Sequence, residues 1–143
     1  MDKKREEQLN EILALFYFAY RTFTKEPDRI LEQHGIQRVH HRILFFVARN
    51  QGLSVNELLK TLEISKQALH TPMRQLIEMG YIKSEPAKYD RRVRELRLTE
   101  KGQKLESQLS NVQRSKMNEI FKEVGSKNEE VWKEIMKKII DNE

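Results

Sequence analysis

The sequence predicts a mainly α-helical chain with one small β-hairpin, in which N- and C-terminal helices form a dimerisation arm around a central unit. Three observations predict it. Apolar residues recur at i, i+3, i+4 spacing along most of the 143 residues, with only 5 Gly and 3 Pro to interrupt them. That period gives way to clean alternation over Arg94–Leu98, soon after two helices joined by a tight turn. The net charge of +5 is also concentrated: residues 65–101 hold nine basic and five acidic side chains, so most of the excess lies in about a quarter of the chain. Two helices and a turn followed by a basic hairpin make a winged helix-turn-helix.

Composition bounds the rest. Hydrophobic residues at 38% supply a core, and charged residues at 34% leave too much apolar material for a disordered tail. Cysteine is absent, which excludes disulfides, Cys-zinc sites and thiol redox sensing and is compatible with a cytoplasmic setting. The apolar run Ile12–Tyr20 has no small-residue cleavage site after it, so it is not expected to be a signal peptide. A membrane span needs about 20 such residues. The run is therefore expected to be a buried helix segment with no membrane partner.

The first helix is predicted from Leu9, Ile12, Leu13, Phe16, Tyr20 and Phe23, with Leu15, Phe18 and Ala19 extending its apolar surface. A helix so apolar must be covered from several sides, by its own domain and by a partner chain. Pro27 and Gly35 are read as a break before a helix over 37–50, closed by Gly52 as its C-cap. Ser54-Val55-Asn56-Glu57 is a capping box that opens a helix with Leu58, Leu59 and Leu62 inward. Glu63-Ile64 is the turn, and Ser65 is the N-cap of the second helix, whose core stripe is Leu69, Met73, Leu76 and Ile77. Gly80 stops that helix. Tyr81–Pro86 and Arg94–Leu98 are the strands, with Leu96 and Leu98 inward, and Ala87–Val93 is a polar, basic tip. Thr99 caps a further helix that continues through Leu105, Leu109, Val112, Met117, Ile120, Phe121 and Val124. Gly125-Ser126 breaks it before a last helix with Val131, Trp132, Ile135, Met136, Ile139 and Ile140 on one face. The boundaries that follow are 36–98 for the winged helix-turn-helix and 1–35 with 99–143 for the helical dimerisation region.

A basic patch of this kind is the electrostatic footprint of a polyanion. On the second helix of the pair, Ser65, Lys66, Gln67, His70, Thr71 and Arg74 lie away from the core stripe. Gln pairs bidentately with adenine and Arg with guanine in a major groove, while Lys66 suits a phosphate. Gln67 and Arg74 are accordingly the expected base readers. In the hairpin Lys88, Arg91, Arg92 and Arg94 bracket Asp90, and four cations on one loop call for a phosphate partner. The Asp90–Arg92 spacing lets a carboxylate hold and aim a guanidinium.

Tyr89-Asp90-Arg91-Arg92 followed by Leu96-Arg97-Leu98-Thr99-Glu100-Lys101-Gly102 resembles the wing and following helix start of the multiple-antibiotic-resistance regulator (MarR) family. Leu53-Ser54 with Glu57-Leu58-Leu59, and Leu76-Ile77-Glu78-Met79-Gly80-Tyr81-Ile82, are similar to its helix-turn-helix frame. The resemblance implies a dimeric DNA-binding repressor, with Asp90 and Arg92 as the wing pair, Arg92 at the minor groove, and the terminal helices at the dimer interface. It also implies a small aromatic or anionic effector, for which Phe16, Tyr17, Tyr20, His40, His41 and Phe45 are the candidate walls. The sequence departs from the family pattern at Pro72, inside the recognition helix, and at Glu63, where the turn often has Gly.

No nucleophile–base set is evident, and His34, His40, His41 and His70 lack metal-site spacing, so neither an enzyme nor a metal or other cofactor is expected. The partners expected are double-stranded DNA with a pseudo-palindromic operator and a second copy of the chain. The competing function is a winged-helix module used only for protein contacts, which salt-dependent DNA binding separates from the first.

Overall fold

The computed structural model describes residues 1–142. Along the chain run α1 (Lys3–Phe23), α2 (Lys25–Gln33), α3 (Arg38–Arg49), β1 (Leu53–Ser54), α4 (Val55–Leu62), α5 (Lys66–Glu78), β2 (Ile82–Pro86), β3 (Arg94–Leu98), α6 (Glu100–Val124) and α7 (Ser126–Asp141). They form two compact units, residues 1–110 and the chain from Asn111 onward.

In the first unit α3 supplies the centre of the core, because Ile43, Leu44 and Val47 share one face and are fully buried. Leu58 of α4, Leu69 and Leu76 of α5, Leu96 of β3, and Leu105 and Leu109 of α6 close around them. Each such side chain contributes roughly 1.5–3 kcal/mol by leaving water. The sheet has the order β1-β3-β2 and is antiparallel throughout. Leu96 faces Leu53 on one side and Ser84 on the other, and Leu98 faces Ile82. Alternation along β3 therefore places Leu96 and Leu98 in the core, as the sequence predicts.

Local caps explain why these elements begin and end where they do. The Ser54 hydroxyl accepts from the Glu57 N–H at 3.1 Å, and Glu57 Oε1 accepts from the Ser54 N–H at 3.3 Å. This is the predicted capping box. Ser65 Oγ accepts from the Ala68 N–H at 3.0 Å, which fixes the start of α5 at Lys66. At its far end, Gly80 sits at φ +81°, its N–H donates to Ile77, and the Tyr81 N–H reaches back to Leu76. These two bonds form a Schellman motif, and the left-handed residue it requires is glycine. Glu63 takes the left-handed conformation of the turn without being glycine, at φ +53°.

Several expectations are corrected. Pro27 does not break the chain: it lies third in α2, a helix the sequence reading lacked, where a missing N–H has no intrahelical partner to lose. Asn50, not Gly52, caps α3. Gly52 lies in the turn beyond, with its N–H on the Leu96 carbonyl at 2.8 Å, and it leads into the unexpected strand β1. Tyr81 precedes β2 rather than opening it. Ala87 is buried, not part of a polar tip, and its N–H donates to Val93 to close the hairpin. Ile77 is exposed, so the core stripe of α5 is Leu69, Pro72, Met73 and Leu76. Pro72 turns its ring into that stripe, and α5 runs through it as one helix.

A buried ionic group ties α3 to α6. Glu106 is shielded from solvent and accepts from the Arg49 guanidinium on one oxygen and the Ser110 hydroxyl on the other. His41, on the same helix as Arg49, has a buried Nε2 without a partner. Burial, foremost, holds its pKa below the ordinary histidine value, and Arg42 adds to this while Glu106 and Asp28 oppose it. The unfolded chain therefore binds a proton that the folded chain refuses, over the window from the folded pKa up to about 6.5. Stability contributed here is complete above that window and is lost as pH falls through it. Urea unfolding between about pH 8 and pH 5 is expected to give a steeper loss of stability for the wild type than for His41→Phe. Equal slopes would rule the effect out.

The second unit holds the end of α6 and all of α7. Gly125, at φ +96°, turns the chain between them, and Phe121 lies against Trp132 with ring centres 5.5 Å apart. α7 buries no residue: Val131, Trp132, Ile135, Ile139 and Ile140 are each about half-exposed or more.

Candidate nucleic-acid interface

The outward face of α5 follows from its inward one. With Leu69, Pro72, Met73 and Leu76 buried, the helical period leaves Lys66, Gln67, His70, Thr71 and Arg74 exposed. Lys66, His70 and Arg74 are spaced four apart, and Gln67 and Thr71 form a parallel row beside them. The five predicted side chains therefore share one continuous polar surface, accessible to a large partner. Arg74 lies only loosely against Glu78, at 3.9 Å. Ser65 is engaged as the N-cap, which leaves its hydroxyl proton free to donate. Gln75 was not anticipated. Its Oε1 is 2.8 Å from His40 Nε2, while His40 Nδ1 accepts from the Gln37 N–H at 2.9 Å. Because Nδ1 accepts, the proton lies on Nε2, and His40 links the start of α3 to the last turn of α5.

The wing extends this surface. Asp90 holds Arg92 three ways: Oδ1 accepts from the Arg92 N–H at 3.0 Å and from Nε at 3.1 Å, and Oδ2 accepts from Nη2 at 3.1 Å. These bonds keep the Asp90 carboxyl below the usual carboxylate range, so the clamp stays ionised at neutral pH. Arg92 is nonetheless 91% exposed in its side chain. It is aimed without being covered. Arg94 differs from the other wing cations, because its guanidinium donates to both Ser84 Oγ and the Ser84 carbonyl and stiffens the hairpin. Lys88 and Arg91 are exposed on the same tip. So is Tyr89, 77% exposed, an aromatic beyond the binding residues expected from the sequence.

The six residues expected to wall an effector site are not among those that line the open groove where α2 meets α3. Phe16, Tyr17 and Tyr20 are exposed along α1, His40 is buried with both ring nitrogens engaged, and Phe45 lies under the Arg49 guanidinium at 4.7 Å. That groove, of about 450 Å³, lies around Asp28, Leu31, Ile36 and Arg38, where Arg38 is paired with Asp28. Among the described residues, no three His, Asp or Glu side chains converge to hold a metal ion. Among them, too, no helix is long and apolar enough to cross a membrane.

Comparison with known proteins finds relatives in sequence and in fold. The family model described as the MarR family matches residues 34–93. The HTH-type transcriptional regulator PetP of Rhodobacter capsulatus is 39% identical over 136 residues, which cover 95% of this chain and 82% of that protein. Among solved structures, FabT of Streptococcus pneumoniae in complex with DNA is similar with a TM-score of 0.80, at 17% identity, over 95% of both chains. Reduced AbfR bound to DNA is similar with a TM-score of 0.71, at 20% identity, over 99% of this chain and 98% of that one. At such identities the two structures establish the fold, a winged helix-turn-helix.

Proposed function

The chain belongs to the MarR family of helix-turn-helix transcriptional regulators, and from that premise we propose that it is a cytoplasmic, dimeric repressor of a pseudo-palindromic operator. The observation that carries this is the pairing of an outward polar face on α5 with a carboxylate-clamped arginine at the wing tip. In this reading α5 enters the major groove, where Gln67 and Arg74 read base edges and Lys66 and Ser65 contact phosphate. His70 and Thr71 lie beside them, and Arg92 reaches the flanking minor groove with Lys88 and Arg91 on the backbone. The DNA complexes of FabT and AbfR, which share the fold, support it.

Dimerisation is supported by unpartnered apolar surface. α1 buries no residue, and its Ile12, Leu13, Leu15, Phe16, Tyr17, Phe18 and Tyr20 are each about half-exposed or more. α7 is in the same condition. Exposed apolar helices of this extent mark an interface, and a second copy covers both. Two recognition helices related by a two-fold would then read half-sites about 10 bp apart. A small aromatic or anionic effector would tune the affinity from beside Phe45 and His41 on α3, the Arg49 guanidinium over Phe45 being already paired with Glu106.

Selection from a random duplex pool, together with sedimentation at micromolar concentration, tests the proposal. The expected result is a symmetric consensus and twice the chain mass. A clean monomer removes the dimer. Absence of any selected sequence favours a winged helix used for protein contacts. Aromatic carboxylates that leave the affinity of the DNA complex unchanged remove the effector.

A further inference from the structure

Thr99, Lys101 and Gly102 lie outside the surface proposed to touch DNA, yet all three converge on the exit of α5. A helix end leaves carbonyls without intrahelical partners, and these ordinarily face water. Here two carbonyls just past the last turn of α5 are taken by the start of α6. Lys101 Nζ donates to the Met79 carbonyl at 2.8 Å, and Thr99 Oγ1 donates to the Gly80 carbonyl at 2.6 Å. The same Thr99 oxygen accepts from the Gly102 N–H at 3.0 Å, so one hydroxyl both caps α6 and holds the exit of α5. The Thr99 N–H donates to the Tyr81 carbonyl at 3.0 Å, and the Lys101 ammonium stands 4.6 Å from the centre of the Tyr81 ring. The start of α5 is capped locally by Ser65.

We propose that Thr99 and Lys101 are positioning residues for DNA sequence recognition: they latch the C-terminal end of α5 to α6 and so fix the pitch at which α5 is presented. The proposal rests on reading α5 as the recognition helix. Its energetic logic is a difference between contacts. A bidentate pair with a base edge tolerates little displacement, whereas a flexible lysine follows a phosphate through several ångströms. A helix whose exit is loosened, though still held by Leu76 in the core and by Gln75 on His40, would keep its flexible backbone contacts and lose its base contacts. The positive charge of Lys101 also suits the negative end of the α5 dipole.

The test compares the full-length wild type with Lys101→Met, Lys101→Arg, Thr99→Val and Thr99→Ser. Affinity is measured for the selected operator and for a scrambled duplex across a salt series, and amide exchange is followed at Gly80 and Tyr81. For Lys101→Met and Thr99→Val the ratio of operator to scrambled affinity is expected to fall about tenfold, the equivalent of one hydrogen bond. Affinity for the scrambled duplex, and its salt slope, should stay at wild-type values. The Gly80 and Tyr81 amides should exchange faster, and Lys101→Arg and Thr99→Ser should restore both readouts. Should Thr99→Val fail to fold, Lys101→Met, whose side chain is exposed, gives the same reading. A salt slope on scrambled DNA shallower by about one in Lys101→Met would make Lys101 a phosphate contact and overturn the proposal. An unchanged ratio or unchanged exchange overturns it as well. A wild type that binds both duplexes equally defeats the recognition reading itself, and this inference with it.

Discussion

Gly102→Ala is expected to destabilise the fold by about 2–4 kcal/mol, although alanine is the better helix former. The reason is steric. A Cβ built at Gly102 falls 2.0 Å from the Tyr81 carbonyl oxygen and 2.9 Å from its carbon, both backbone atoms that no rotamer change can move aside. α6 must lift away from the turn, and in lifting it draws out the Thr99 and Lys101 hydrogen bonds. The helix-propensity gain of about 1 kcal/mol offsets only part of that loss. For a chain of this size the melting temperature should fall by roughly 5–15 °C, at about 2–4 °C per kcal/mol. Gly125→Ala is the control: it meets nothing within 4 Å, and only its positive φ is strained. Its cost should stay near 1–2 kcal/mol. Equal melting temperatures for the wild type and Gly102→Ala would show that the approach of α6 to Tyr81 is not what fixes this glycine.

The contrast between these glycines marks what could be read from the chain alone. Capping is local, so Ser54 with Glu57, Ser65 and Thr99 were all legible from residues three positions apart. β3 was legible because Leu96 and Leu98 alternate with Glu95 and Arg97. β1 was not, because two residues show no period, and its pairing with β3 is set by the fold. α2 was hidden by Pro27, which signals a break unless it falls in a first turn, as it does here. Ile77 is apolar at a helical spacing that also fits the core, and only the packing of its neighbours leaves it exposed. At the interface the Asp90–Arg92 clamp was legible at a spacing of two. The tie between Arg94 and Ser84 depends on strand register, and the His40–Gln75 bond joins residues 35 apart in sequence. The role of Lys101 required seeing where the carbonyl of Met79 points.

Arg92 carries the largest expected effect on binding. The clamp leaves its position nearly fixed in advance, so contact with DNA costs little side-chain entropy, and its exposure means no desolvated protein group must first be uncovered. Arg92→Ala should weaken operator binding tenfold or more, about 1.4 kcal/mol at least, and make the salt slope shallower by roughly one. That result alone would not separate an aimed guanidinium from a loose positive charge. Arg92→Lys and Asp90→Ala do. Lysine keeps the charge and loses the planar fork that grips both Asp90 oxygens, while Asp90→Ala keeps the guanidinium, frees it and raises the net charge of the wing. If charge alone matters, Arg92→Lys binds as the wild type does and Asp90→Ala binds more tightly. If aim matters, both lose affinity for the operator and keep, or in the second case gain, affinity for scrambled DNA. The Asp90–Arg92 pair lies at the wing surface with its guanidinium open to solvent, which screens it, so folding stability should barely change in any of the three. Measured affinities on the two duplexes, with melting curves to confirm intact folds, decide between the two. Operator affinity unaltered in Arg92→Ala would remove the wing from the interface.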